Sequence, residues 1–169
     1  MLGQIAENSG DMKTARAEYG KVAADPQATT GQKADALNRV GGTLVNEKQF
    51  DAARAEYARA LALPGLPSYT QANLQLSVAR SYEREQNWPL ARAEFAKCLE
   101  IEKVPDTVKF NALSGIAGSF RKEKNAPEMK KAVEAALQIN ASAALRFYMI
   151  RDYAALSAER GDPGEELAA

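Results

Sequence analysis

The chain has 169 residues and carries 22 Lys+Arg against 22 Asp+Glu, for a formal net charge of zero. That balance lacks the electrostatic footprint of a nucleic-acid binder or of a polybasic membrane-surface protein. The absence of histidine removes Ser-His-Asp, Cys-His and HExxH arrangements, and one cysteine, Cys98, excludes an internal disulfide or a four-cysteine metal site.

The first element is the end of a helix around Leu2-Gly3, broken at Gly10. Met1 falls where the middle of that helix belongs, so the chain reads as a segment of a longer solenoid. A second helix follows, capped by Asp11 and carrying the pentapeptide ARAEY at Ala15–Tyr19. ARAEY returns at Ala53–Tyr57 and ARAEF at Ala91–Phe95, each step being 38 residues. A strict period of this size marks a repeat architecture.

The next three units follow the same ruler. Thr30, Ser68 and Asp106 share a column and are residues that cap helix N-termini. Ser68 has Gln71 three residues on, a capping-box pattern. Pro67 and Pro105 discourage continuation from the element before. An apolar stripe of period 3.6 comes next: Leu37, Val40, Gly41 and Leu44 in one copy, Leu113, Ile116, Ala117 and Phe120 in another. This predicts the first helix of a hairpin, about four turns long.

Short polar breaks (NEKQ, EQN, KEKN) precede the second helix. Asn87 and Asn125 fall in the capping column of Asp11, and Pro89 and Pro127 in the first turn, where a missing N–H costs little. Within ARAEY the alanine and the aromatic ring are i and i+4, on one packing face. The Arg and Glu between them are expected in solvent.

The last element, AALRFYMIRDYAALSAERGDP, reads as a fifth first helix closed by Gly161-Asp162-Pro163, with GEELAA beyond. Phe147, Tyr148 and Tyr153 there either cap the stack or mediate self-association through the chain ends. The organisation expected is a partial repeat over 1–29, repeats over 30–67, 68–105 and 106–143, and a terminal helix and tail over 144–169.

These residues resemble the tetratricopeptide repeat family. Val40-Gly41, Leu44, Ala53, Tyr57 and Ala60 match its pattern, as do Leu2-Gly3, Gly10, Ala15 and Tyr19. Val78-Ala79, Tyr82, Ala91 and Phe95 match less fully. Ile116-Ala117, Phe120, Val133 and Ala136 match weakly, with Met129 in place of the alanine. The family's early tryptophan is Leu37, Gln75 and Leu113 here, and the period is 38 against about 34. The resemblance implies an all-α, right-handed α-solenoid of antiparallel helical hairpins. It implies a non-catalytic interaction scaffold that holds a peptide or partner protein in a concave groove lined by the first helices. The alternative is a repeat region of a larger enzyme or of an envelope or secretion assembly whose activity lies outside this segment.

Carried onto this sequence, the groove columns give Asn38, Asn46, Asn73, Arg80, Arg84, Asn111, Arg121, Lys122 and Arg151 as candidate partner-binding residues. The asparagines offer donors and acceptors to an extended backbone. The cations point to an acidic peptide or free carboxylate. Such residues are more often simply the solvated face of a helix, with Glu83, Glu85 and Glu123 nearby to neutralise them. The columns of the family's carboxylate clamp hold Asn38, Gly42, Asn73, Ser77 and Gly115, without its lysines, so a chaperone-tail clamp is not expected. No metal or cofactor pattern and no catalytic constellation emerges. Trp88 and Phe50 read as packing residues, Cys98 as a small buried one, and Glu165-Glu166 as part of the tail.

Overall fold

The computed structural model of the chain describes residues 2–140 and 142–159. Met1, the Gly161-Asp162-Pro163 stop and the Glu165-Glu166 pair lie outside the described residues. Within them every element is helical: α1 Leu2–Asn8, α2 Met12–Ala24, α3 Thr30–Asn46, α4 Phe50–Leu61, α5 Ser68–Arg84, α6 Trp88–Glu100, α7 Asp106–Lys122, α8 Ala126–Leu137 and α9 Ala143–Glu159. The starts of α3, α5 and α7, and those of α2, α4, α6 and α8, keep the 38-residue step.

Each helix packs on its successor, and α3, α5, α7 and α9 also touch one another in turn. The second helices α2, α4, α6 and α8 make no comparable contact with one another among the described residues. The result is an all-α, solenoid-like stack whose first helices crowd together on the inner side.

The turn inside each hairpin repeats in backbone detail. Gly10, Lys48, Gln86 and Lys124, again 38 apart, take positive φ of 83°, 62°, 64° and 55°. In each case the left-handed residue donates its N–H three residues back and the next residue donates five back, as in Lys48 N to Val45 O and Gln49 N to Leu44 O. These bonds occupy carbonyls that the helix end leaves open. The following helix is then capped by Asp11, Asn87 or Asn125, which accept from the N–H groups of Thr14, Leu90 and Glu128 at 3.0, 3.3 and 3.3 Å.

The caps of the first helices differ from expectation by one residue. Thr29, not Thr30, accepts from Gln32 N–H at 3.2 Å, and Gln32 returns the bond to Thr29 N–H at 2.8 Å. Ser68 and Asp106 are already inside the first turn and make no cap bond. Pro67 and Pro105 take the cap position themselves, because their fixed φ near −60° leads directly into the helix.

Packing follows the small-plus-ring pattern. Ala15, Ala53 and Ala91 are fully buried, and Tyr19, Tyr57 and Phe95 nearly so. The Tyr57 ring covers Gly41, where an added Cβ would sit 2.3 Å from Cε1; Tyr19 meets Gly3 in the same way at 2.8 Å. The third hairpin has Ala79 in that glycine column. Its ring, Phe95, instead presses on Gly115 of the next hairpin, 2.3 Å from a built Cβ. Thr43, Ser81 and Ser119, one more column, are fully buried, and each hydroxyl donates to the carbonyl three residues back at 2.6–2.7 Å. The cores bridge hairpins: Phe95, Cys98, Val108 and Ala112 cluster across α6 and α7, and Phe110, Met129, Val133, Met149, Tyr153 and Leu156 across α7, α8 and α9. Tyr153 is thus a core residue, whereas Phe147 and Tyr148 are exposed and meet edge to face at 6.0 Å.

The arginine of the pentapeptide corrects the sequence reading. Arg16, Arg54 and Arg92 are not in solvent; their side chains are 26%, 15% and 19% exposed. Each reaches the glutamate 31 residues on, in the following hairpin. Arg54 meets Glu85 and Arg92 meets Glu123, both at 2.7 Å. Arg54 and Arg92 also stack on Tyr82 and Phe120, 4.2 and 4.3 Å from the ring centroids. Arg16 Nη1 lies 2.8 Å from Glu47 Oε2, but without hydrogen-bond alignment; its ring position is Leu44. The pentapeptide glutamates are not in solvent either: Glu18, Glu56 and Glu94 are 23%, 21% and 15% exposed and pair with Lys21, Arg59 and Lys97 one turn on, and Glu94 also accepts from Gln75 Nε2.

Candidate binding groove

The face beside the apolar stripe recurs every three to four residues along each first helix, so its side chains line the seams between successive first helices. Between α3 and α5 such a seam opens into a cleft of about 370 Å³ lined by Asp35, Asn38, Tyr69, Asn73, Ser77 and Arg80, among others. Three of the expected residues, Asn38, Asn73 and Arg80, come together here. Asn38 and Asn73 are half-buried, and among the described residues no side-chain hydrogen bond uses either amide group. Both therefore keep a donor and an acceptor for an incoming backbone.

Between α7 and α9 a second cleft of about 270 Å³ takes in Arg121 and Lys122. Arg121 Nη1 lies 3.1 Å from Asp152 Oδ2, and Arg151 Nη2 lies 3.0 Å from Oδ1 of the same carboxylate. Arg151 also stacks on Tyr148 at 4.9 Å. It adjoins this cleft rather than lining it. Asn46, Arg84 and Asn111 are exposed on the same helices, outside both clefts.

The neutralising glutamates are arranged otherwise than the sequence suggests. Glu85 and Glu123 are taken by Arg54 and Arg92 of the preceding hairpins. Of the three glutamates only Glu83 remains beside the groove cations, with Asp35 lining the cleft of Arg80 and Asp152 bound to Arg121 and Arg151. Burial of Glu83 pushes its carboxyl above its ordinary value, while Arg80 and Arg84 pull it the other way. Among the described residues Arg80, Arg84 and Lys122 close no ion pair within 4 Å.

The sequence reading missed Tyr69, an exposed ring in the first cleft, and Leu145 and Met149 in the second. A signal was present in Gly42 and Gly118. Both are mid-helix glycines in one column, and a Cβ built at either meets nothing within 4 Å. Packing does not require them. Away from the groove, Trp88 and Phe50 are half-buried at the starts of α6 and α4. Cys98 is fully buried, donates to Ala72 O at 3.6 Å, and has its thiol pushed up by burial. No protein-family model matches the chain, and no curated protein is significantly similar to it.

Proposed function

We propose that the chain is a non-catalytic scaffold of the tetratricopeptide type that holds a peptide or partner protein along the inner face of its first helices. The observation that carries this reading is the α3–α5 cleft, where the uncommitted amides of Asn38 and Asn73 converge with Arg80. Two amides with free donors and acceptors suit an extended main chain, and a guanidinium beside them suits an acidic group on that segment. Glu85 and Glu123 are withdrawn to the outer clamps, so the cations of α5 and α7 favour an acidic partner.

The test is quantitative capture of a partner by the wild-type chain and by the triple variant Asn38→Ala, Asn73→Ala, Arg80→Glu. Side chains with free polar groups on the inner face are not needed for folding, so far-ultraviolet circular dichroism stays unchanged. Affinity drops at least tenfold, about 1.4 kcal/mol. Equal affinity of the two proteins for the partner overturns the groove reading.

A further inference from the structure

The inner seam changes character along the stack. Leu145 and Met149 stand two steps of 38 beyond Tyr69 and Asn73, and Phe110 and Ser114 two steps beyond Ala34 and Asn38. At these positions Met149 replaces the amide of Asn73, Phe110 and Leu145 replace Ala34 and Tyr69, and the hydroxyl of Ser114 is turned onto Met149 Sδ at 3.4 Å, so the α7–α9 cleft is the more apolar of the two. Its floor reaches the core residues Phe110, Met129 and Val133, which are 2%, 2% and 0% exposed. Leu145 and Tyr148 stand exposed at its rim, 42% and 53%. Gly118 opens its wall, with free space where a Cβ belongs. An apolar cavity of roughly 150 Å³ accepts a benzene-sized group, so about 270 Å³ has room for one aromatic or large aliphatic side chain.

The mouth carries charge of one sign in excess. Arg121, Lys122 and Arg151 contribute three positive charges against one negative from Asp152, leaving two positive. The carboxylate that ends α7, Glu123, is held by Arg92.

We infer that the α7–α9 cleft is an anchor pocket for a bulky apolar side chain flanked by acidic residues on the peptide partner. The inference rests on the groove reading above and adds the partner's sequence character. The apolar side chain is buried against Phe110, Met129, Val133 and Met149. Its acidic neighbours pair with Lys122 and with Arg121, which shares the single carboxylate of Asp152 with Arg151. Anchors of this kind, in desolvated pockets ringed by polar groups, carry most of the affinity in peptide recognition.

The probe is a fluorescein-labelled, amidated pentapeptide EEFEE, compared with EEAEE by fluorescence anisotropy on the full chain. The phenylalanine peptide is expected to bind about tenfold or more tightly than the alanine peptide. Gly118→Leu fills the cleft and favours the helix, so it leaves the circular dichroism intact and abolishes the difference. Lys122→Glu weakens EEFEE and steepens the penalty of each added glutamate. Equal binding of the two peptides, no binding of either, or a preference that survives Gly118→Leu each overturns the inference. So does a wild-type dimer that Gly118→Leu makes monomeric, because the occupant is then a second copy. The groove reading fails separately: it falls if the triple variant at Asn38, Asn73 and Arg80 keeps full affinity for the captured partner, whatever EEFEE does.

Discussion

Gly41 and Gly42 are adjacent, yet the fold asks opposite things of them. A methyl at Gly41 meets the Tyr57 ring at 2.3 Å, whereas one at Gly42 meets open space. Gly41→Ala is therefore expected to cost about 1–3 kcal/mol by overpacking, and Gly42→Ala to add roughly 0.5–1 kcal/mol through helix propensity. Paired thermal melts of the two variants check this, with shifts of opposite sign. Phe95 shows where a displaced ring goes: onto the position 20 residues on, which is Gly115 for Phe95 and Ser77 for Tyr57. Adding Ser77→Gly to Gly41→Ala should recover part of the loss. Glu83 supplies a pH prediction. Its carboxyl titrates above the ordinary value near 4.5 because burial disfavours the charge. A group with a raised folded pKa contributes stability below its unfolded pKa and loses it as pH rises through the folded one. Glu83→Gln should therefore raise the melting temperature at pH 7 and have no such advantage near pH 4. An equal shift at both values contradicts the assignment. The alternation of glycine and ring was legible in the sequence as a column. The glycines beside it, Gly42 and Gly118, were legible as a column too, but the open space they face was not, because sequence periodicity shows where side chains pack and not where nothing does.

The elements were legible in number and spacing, since capping residues and apolar stripes recur on a 38-residue ruler. Their ends were less so. Thr29 and Thr30 are equally good caps on paper, and only the bond to Gln32 decides between them. Likewise Pro67 and Pro105 displace Ser68 and Asp106 from the cap. Thr29→Ala should cost about 1 kcal/mol, and Ser68→Ala much less, by chemical denaturation. The hairpin turns hid a second feature. Lys48 and Gln86 hold a conformation that glycine adopts freely and that Gly10 already uses. The double variant Lys48→Gly, Gln86→Gly should stabilise by up to about 1 kcal/mol per site. A fall in the denaturation midpoint would show that the lysine and glutamine side chains contribute more there than the backbone relief returns.

At the scale of the stack, among the described residues each hairpin packs on its neighbours, so stability is a sum of hairpins and junctions rather than a property of one core. The junctions are not equal. Two of them join an arginine to a ring and a glutamate in the next hairpin, Arg54 to Tyr82 and Glu85, and Arg92 to Phe120 and Glu123. Read as a sequence, this arginine belongs to a polar face. Its partners lie 28 and 31 residues away, and only the superposition of one hairpin on the next brings them within reach. Partly buried pairs with a stacked ring are each worth on the order of 1–2 kcal/mol. A double-mutant cycle on Arg92 and Glu123 should thus return a coupling of about 1 kcal/mol. In the last junction the arginine column holds Lys130 and the ring column Ala158, and α9 is held by the Met149, Tyr153 and Leu156 core and by the Arg121–Asp152 pair on the groove side. Amide hydrogen exchange should accordingly show α5 and α7 best protected and α9 opening at a lower free energy. Because α9 forms one wall of the apolar cleft, a ligand seated there should slow exchange in α9 more than in α3. Uniform protection of α3, α5, α7 and α9, with and without EEFEE, would mean that the stack opens as one unit and that the clamps do not set its order.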